Sequence, residues 1–224
     1  MHFIMAGPAF IDTKIALEAE FGTKNDGSVC LLGAYELAKQ HNLSEYRKLY
    51  KRVIVFNQEQ IRTKMFNFMN IGYYAMLCEA DEVWDYDDYN IEALQLIRSD
   101  VKLHLLKPCG QLSCTLCKDK PIDVLFYGAM NPHRQAVIDQ LRKYKVNVAT
   151  PCVFGDALNY YIARTKLCLN VHYYTDTNLQ EQARMIKWVS SNVPILSEQS
   201  RTNYMNVLEC NYNNIVENIL CRIK

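Results

Sequence analysis

Short apolar runs alternate with amphipathic stretches along most of the chain, most sharply between residues 122 and 198. Ile122-Asp123-Val124-Leu125-Phe126-Tyr127 ends at Gly128, and Asn131-Pro132-His133-Arg134 opens a helix over about 133–143. With 123–127 as the first strand, further strands are predicted at 146–150, 167–171 and 194–197, with helices at 155–164 and 180–191. Residues 203–222 read as a last helix that Asn211-Tyr212-Asn213-Asn214 would interrupt. Apolar strands alternating with helices imply a parallel sheet covered on both faces. Ligands of such sheets bind beyond the carboxyl ends of the strands. Polar residues gather at those ends: Gly128 to Arg134, His172 to Asn178, and Ser197 with Glu198.

The pattern before residue 107 is looser. His2 to Ala6 reads as a strand, and a polar stretch from Asp12 to Ser28 follows, with turn residues at Gly22 and Asn25-Asp26-Gly27. Val29 to about Gln40 is predicted as a helix capped by Ser28, with Leu32, Tyr35 and Leu37 on its apolar face. Val53-Ile54-Val55-Phe56 is a β-branched run typical of a buried parallel strand, and it ends in Asn57-Gln58-Glu59-Gln60. Phe66 to Ala80 reads as a helix with Phe68, Ile71, Met76 and Leu77 facing inward. Glu82 to Tyr86 and Val101 to Leu106 read as strands around a helix that Asp87 and Asp88 begin. Lys107 to Pro121 has no periodicity and holds two prolines, a glycine and three cysteines. The expected organisation is an N-terminal Rossmann-like domain at 1–107, a linker at 108–121 and a C-terminal Rossmann-like domain at 122–224, two facing α/β halves.

Composition narrows the function classes. Half of the 224 residues are hydrophobic, enough for packed cores, and the net charge of +1 gives no whole-chain attraction to nucleic acid or anionic membrane. No apolar run approaches the ~20 residues of a membrane span, and the N-terminus lacks the basic start of a signal peptide. A cytoplasmic protein is expected, with buried, reduced thiols such as Cys30, Cys78 and Cys168 among its nine cysteines. Cys114 and Cys117 form half of the paired spacing of a structural zinc site. No second pair follows, so no metal is assigned, and the role of Cys109, Cys114 and Cys117 stays open.

Three constellations carry chemistry. Gly128, before a helix N-terminus, lets backbone approach an anion, and Arg134 in the first turn of that helix suits a phosphate better than it suits the helix dipole. His172 and Tyr173, at a strand end, can donate to phosphate or stack on a sugar. Glu181, Arg184 and Trp188 share one helix face, where the carboxylate can hold sugar hydroxyls and the arginine a diphosphate; a plain surface ion pair is the bland alternative. Glu198 adds an acceptor at the next strand end. In the first half, Asn25-Asp26-Gly27 and Asn57-Gln58-Glu59 are expected on one side, with Asp26 and Glu59 as candidate bases and Asp12 as a weaker one. Each could equally be a loop-capping carboxylate.

The runs Asp123 to Arg134, Cys168 to Tyr174 and Glu181 to Glu198 resemble the C-terminal half of compact GT-B glycosyltransferases, similar to glycosyltransferase families 1 and 4. Ala80 to Tyr86 with Asn90 resembles their acceptor-side half. The resemblance implies a nucleotide-sugar donor, UDP- or GDP-linked, a glycan or other hydroxyl acceptor, no required metal, and no separate cofactor. It would place Gly128, Asn131 and Arg134 on the diphosphate, His172 and Tyr173 on the sugar or phosphate, and Glu181 with Arg184 on the nucleotide or sugar. Many retaining members carry a second glutamate after the first; here Lys187 stands where it is expected, which leaves the stereochemical outcome open. Two alternatives remain: a non-catalytic nucleotide- or partner-binding module of the same fold, and a DNA-base glycosyltransferase using a cluster of Lys48, Lys51, Arg52, Arg62 and Lys64. Nucleic acid is not the expected partner.

Overall fold

A computed structural model describes residues 1–62 and 71–223. The chain divides into two compact units, Met1–Lys107 and Pro108–Lys224. Each is built on a five-stranded sheet in which every neighbouring pair is parallel.

The first unit runs β1 (His2–Met5), α1 (Ile11–Phe21), β2 (Ser28–Leu32), α2 (Ala34–Leu37), α3 (Leu43–Arg47), β3 (Arg52–Asn57), α4 (Ile71–Glu79), β4 (Glu82–Asp85), α5 (Asp88–Leu94) and β5 (Lys102–Leu103). The strands lie side by side in chain order. The helix expected from Val29 is therefore a central strand. Val29, Cys30, Leu31 and Leu32 are fully buried between β1 and β3, as a strand covered on both faces requires. Helical backbone begins only after Gly33, whose φ of +69° lies in the left-handed region and whose missing side chain leaves room for the Phe10 ring. The stretch read as polar and irregular contains α1. Of the helix predicted from Phe66, α4 is described; Phe66 and Phe68 lie outside the described residues. Met76 and Leu77 face inward as expected, whereas Ile71 is exposed.

Alternate residues of β2, β3 and β4, such as Leu31, Val55 and Val83, pack against Leu43, Tyr73, Met76 and Leu94 from the helices. The opposite face carries Trp84, on which Phe21 of α1 stacks at 5.1 Å and His104 at 4.8 Å. At the carboxyl ends of β3 and β4 sits a buried polar network. Asp85 accepts from Asn57 Nδ2 at 2.6 Å, Asn90 Nδ2 at 3.2 Å and the Asp87 amide at 2.9 Å. Tyr73 donates to Asn57. Among the described residues no cation faces Asp85 in this network, and burial outweighs the three donors and pushes its carboxyl up to about 8.

The second unit begins earlier than expected. Residues 108–121 pack onto it: Leu112 is buried, and the amides of Cys109 and Cys114 donate to Ser190 and Ser191, each at 3.1 Å. The elements that follow are β6 (Ile122–Leu125), α6 (Pro132–Lys143), β7 (Val148–Ala149), α7 (Asp156–Ile162), β8 (Thr165–Asn170), α8 (Gln182–Ser190), β9 (Ile195–Glu198), β10 (Leu208–Cys210) and α9 (Ile215–Arg222). The helix predicted over 203–222 is instead β10, a turn and α9. Leu208–Cys210 pairs with β9, and the Asn211 side chain caps the next turn by accepting from the Asn213 amide at 3.0 Å.

The sheet order is β10-β9-β8-β6-β7. One face packs against α6 and α9 through Val137, Leu141, Ile215 and Ile219, the other against α7 and α8 through Leu158, Ile162, Met185 and Trp188. This is a doubly wound, Rossmann-like α/β layering. Among the described residues no helix is long and apolar enough to cross a membrane.

The Asp85 network yields a pH prediction. Its unfolded carboxyl titrates near 3.8 and its folded one near 8, so the folded chain holds a proton that the unfolded chain has lost. The stabilisation is complete below 3.8 and disappears as the pH rises to about 8, with a slope of at most about 1.4 kcal/mol per pH unit. Urea unfolding between pH 5 and 8 is expected to show this fall, and Asp85→Asn is expected to flatten it.

Candidate functional site at the second sheet

The chain steps from β6 outward to β7, then returns past β6 to β8. Connections therefore leave β6 and β8 in opposite directions, and sheets of this kind take ligands at the carboxyl ends of such a strand pair. Nearly every donor-side residue singled out in the sequence lies here.

Gly128 follows β6 with a φ of +133°, a conformation L side chains rarely adopt. A Cβ there would lie 2.8 Å from Arg184 Nη2 and 3.0 Å from its Cζ. The bare backbone thus admits a guanidinium laid directly upon it. Asn131 caps α6, accepting from the Arg134 amide at 2.9 Å, and its Nδ2 donates to the Tyr173 carbonyl at 2.7 Å.

Arg134 is 1% exposed. Its Nε donates to the Val171 carbonyl at 2.8 Å, Nη1 to the Ala129 carbonyl at 2.6 Å, and Nη2 to both Glu181 oxygens at 2.6 and 2.8 Å. Glu181 also pairs with Arg184 and accepts from the Tyr173 amide at 2.9 Å. Arg184 Nη1 reaches Asn170 Oδ1 at 3.1 Å. Both guanidinium groups stand over the Phe126 ring, 5.5 and 5.4 Å from its centroid.

Two arginines thus share one carboxylate in a largely enclosed place, so the triad taken by itself carries a net positive charge. Burial pulls Arg134 down to about 10, against the pull of Glu181, so it stays charged at neutral pH. Burial pushes the Glu181 carboxyl up, but Arg184 and Arg134 together hold it below the usual carboxylate range.

Beside this triad lies a second constellation. Glu198, at the end of β9, accepts from the His172 amide at 2.9 Å and faces His133 Nε2 with both oxygens at 3.1 Å. The His133 ring stacks on Tyr212 at 3.9 Å and 17°, and Tyr212 donates to the His133 carbonyl at 2.9 Å. The two carboxylates therefore bind successive amides, those of His172 and Tyr173, and their cationic or imidazole partners are neighbours on α6. His172 itself is fully buried; its Nε2 faces the Gln199 carbonyl at 3.2 Å, and its Nδ1 has no hydrogen-bond partner among the described residues.

The roles differ from the sequence expectation. Arg134, expected on a diphosphate, has its donors taken by protein, and Arg184 is the guanidinium nearer the surface, with its side chain 11% exposed. Trp188 is core. His133 was missed as a functional candidate, because nothing near it in the chain announces Glu198.

In the first unit Asp26 and Glu59 do not share a side. Asp26 precedes β2 and Glu59 follows β3; in a parallel sheet these are opposite ends. Asp26 is tied to the Ser28 amide at 2.9 Å, which lowers its carboxyl and makes it a poor base. Glu59 lies at the carboxyl end, where burial and then Glu36 push it up against the pull of Lys39. Asp12 is buried in the first turn of α1. Arg52 pairs with Glu82, which Lys102 also reaches at 2.9 Å, and Arg62 pairs with Glu92 at 3.0 Å; Lys64 lies outside the described residues. Among the described residues no group of three or more His, Cys, Asp or Glu side chains is arranged to hold a metal ion.

No protein-family model matches the chain. An uncharacterized protein of Acanthamoeba polyphaga mimivirus is 28% identical over 148 residues, 59% of this chain and 49% of its own length. A second uncharacterized protein of that virus is 32% identical over 114 residues, 47% of this chain and 13% of its own. A third is 25% identical over 121 residues, 50% of this chain and 16% of its own. The chain thus spans about half the length of one curated relative and a small part of the other two. Among solved structures, a chain of a glycosylation-associated protein (Gap123) complex from Streptococcus agalactiae overlays 95% of this chain and 51% of its own at 9% identity, with a TM-score of 0.45.

The triad predicts an asymmetric response to mutation. Glu181→Gln leaves two guanidinium groups without a counter-charge and is expected to lower stability by about 3–5 kcal/mol. Sulfate or inorganic phosphate, supplying the missing charge, is expected to recover part of that loss in a thermal-shift series. A change within about 1 kcal/mol and no anion effect would show that the triad behaves as a surface ion pair.

Proposed function

We propose that the second unit binds the diphosphate of a UDP- or GDP-linked sugar and that the chain transfers the sugar to an acceptor hydroxyl, without a required metal. The observation that carries this reading is the net positive charge of the Arg134–Glu181–Arg184 triad at the β6/β8 carboxyl ends, with Arg184 its more exposed member. A diphosphate entering there would meet Arg184 and the N-terminus of the twelve-residue α6. Both would stabilise the negative charge that grows on the leaving group as the glycosidic bond breaks, the contribution that usually dominates such catalysis. Arg134 serves by holding Glu181, and so Arg184, in place. The resemblance to compact GT-B glycosyltransferases supports the same reading from the sequence side.

The second reading is a nucleotide-binding module without turnover. Its support is that Arg134 is committed to protein partners and that Glu181 lacks the second glutamate of many retaining relatives.

The test is a thermal shift against UDP- and GDP-sugars, followed by an assay for release of the nucleoside diphosphate. A ligand at a hundred times its dissociation constant is expected to stabilise the chain by about 2.7 kcal/mol. Arg184→Ala is expected to abolish that shift. A shift without release would favour the binding module, and no shift at millimolar donor would contradict both readings.

A further inference from the structure

We infer that the amino-terminal end of the second sheet, opposite the Arg184 end, is a docking surface for single-stranded nucleic acid, with phosphates on its cations and bases against Tyr144 and Tyr160. The inference goes beyond the nucleotide-sugar reading and does not depend on it.

Charge is the first observation. The chain's net +1 is the sum of two unlike halves. Met1–Lys107 holds twelve lysines and arginines against fifteen acids, whereas Pro108–Lys224 holds thirteen against nine. A polyanion therefore meets an attractive second unit that the whole-chain figure hides.

Placement is the second. In a parallel sheet the strands start, and the helices before them finish, at one end. There the Ile122 amide donates to the Arg164 carbonyl at 3.2 Å, and the Asp123 amide to the Asn147 carbonyl at 3.0 Å. These bonds draw together the segments that carry Lys120, Lys145 and Arg164. Arg142 and Lys143 close α6 just before Lys145, and Lys166 is the second residue of β8. Lys120 and Arg164 are half-buried and the other four are exposed. The acids that accompany them at the strand starts are Asp119 and Asp123, and Lys166 engages Asp123 at 2.7 Å. Among the described residues none of the other five cations pairs with a carboxylate. The dipole at a helix carboxyl terminus accounts for Arg142 and Lys143. It does not account for Lys120 and Arg164, which lead into strands. Lys145 has a φ of +61°, at the position after a helix where glycine is the ordinary residue.

Aromatic exposure is the third. Tyr144 and Tyr160 are 64% and 58% exposed, more than any other large hydrophobic side chain described in the unit. Tyr144 stands in the chain between Lys143 and Lys145. The Arg164 guanidinium lies 4.0 Å from the Tyr160 ring centroid, and its Nη1 donates to the Tyr160 carbonyl at 3.1 Å. Cations interleaved with exposed rings suit a strand whose bases are unpaired and can stack. An anionic membrane would call for aliphatic side chains inserted beside the cations. Leu208, the exposed aliphatic residue at this end, lies on β10, at the edge of the sheet opposite β7.

The test is fluorescence anisotropy of a labelled oligothymidylate with the full chain. Saturable binding is expected at about 150 mM salt. It is expected to weaken roughly fiftyfold between about 50 and 200 mM salt, for about four phosphate contacts. Lys143→Glu combined with Lys145→Glu is expected to lose about tenfold or more and to flatten the salt dependence. Lys145→Gly removes one cation while relieving the positive φ, so the weaker binding expected of it is not a folding defect. Tyr160→Ala is expected to lose about tenfold with the salt dependence unchanged, the mark of a stacked base. No binding at that salt, or binding that these variants leave unchanged, would overturn the inference. Displacement by a UDP- or GDP-sugar would move the oligonucleotide to the Arg184 end and overturn it too. Tighter binding of a duplex, indifferent to Tyr160→Ala, would overturn the assignment to a single strand. Binding to phosphatidylcholine vesicles with about one-third phosphatidylserine, and none to the oligonucleotide, would give the face to a membrane instead. Each of these failures leaves the nucleotide-sugar reading standing, since the two sites lie at opposite ends of the sheet.

Discussion

A carboxylate shared by two guanidinium groups organises the carboxyl end of the second sheet. Glu181 alone would be costly to bury, and so would either arginine. Together they fix four pieces of chain that are distant in sequence: the turn after β6 through Ala129, the first turn of α6 through Arg134, the end of β8 through Val171 and Tyr173, and the start of α8 through Arg184. Gly128 is part of the same constraint. With any side chain there, the Arg184 guanidinium could not lie where it does. Within the triad two cations meet one anion, and the next carboxylate, Glu198, is engaged by His133 and the His172 amide.

The carboxyl ends of the first sheet are built on a different principle. Asp85 has amide donors from Asn57, Asn90 and the backbone, and burial leaves it protonated up to about pH 8. With Asp85 protonated, its contacts to Asn57, Asn90 and the Asp87 amide shape the ends of β3 and β4, and no cation is among them. The functional account therefore places donor chemistry in the second unit. It follows the charge, since both sheets are parallel and either could have offered a crevice.

Much of the second unit is legible in the sequence because its helices are long enough to show their period: the apolar stripe of Val137, Ile138 and Leu141 needs no partner to be recognised. The first unit hides its central strand. Val29 to Leu32 is followed at once by Gly33 and the helix-forming run Ala34 to Lys39, so local propensity extends the helix backward across a strand that only its neighbours β1 and β3 define. The three-residue β10 is invisible for the same reason. At the site, the residues Gly128, Asn131, Arg134, His172, Tyr173, Glu181, Arg184 and Glu198 are recognisable by their placement after strands. Their division of labour is not. Arg134 looks like a phosphate ligand until Glu181, 47 positions later, folds onto it, and His133 acquires a partner only when Glu198, 65 positions away, arrives at the end of β9.

The central claim is that an anion binds Arg184 at the carboxyl ends of β6 and β8. Crystals of the full chain grown with UDP or GDP test it most directly. The account predicts phosphate density against the Arg184 guanidinium and the N-terminus of α6, with Arg134 still held by Glu181. Density at the ends of the first sheet, or none at the β6/β8 ends at saturating nucleotide, would contradict it.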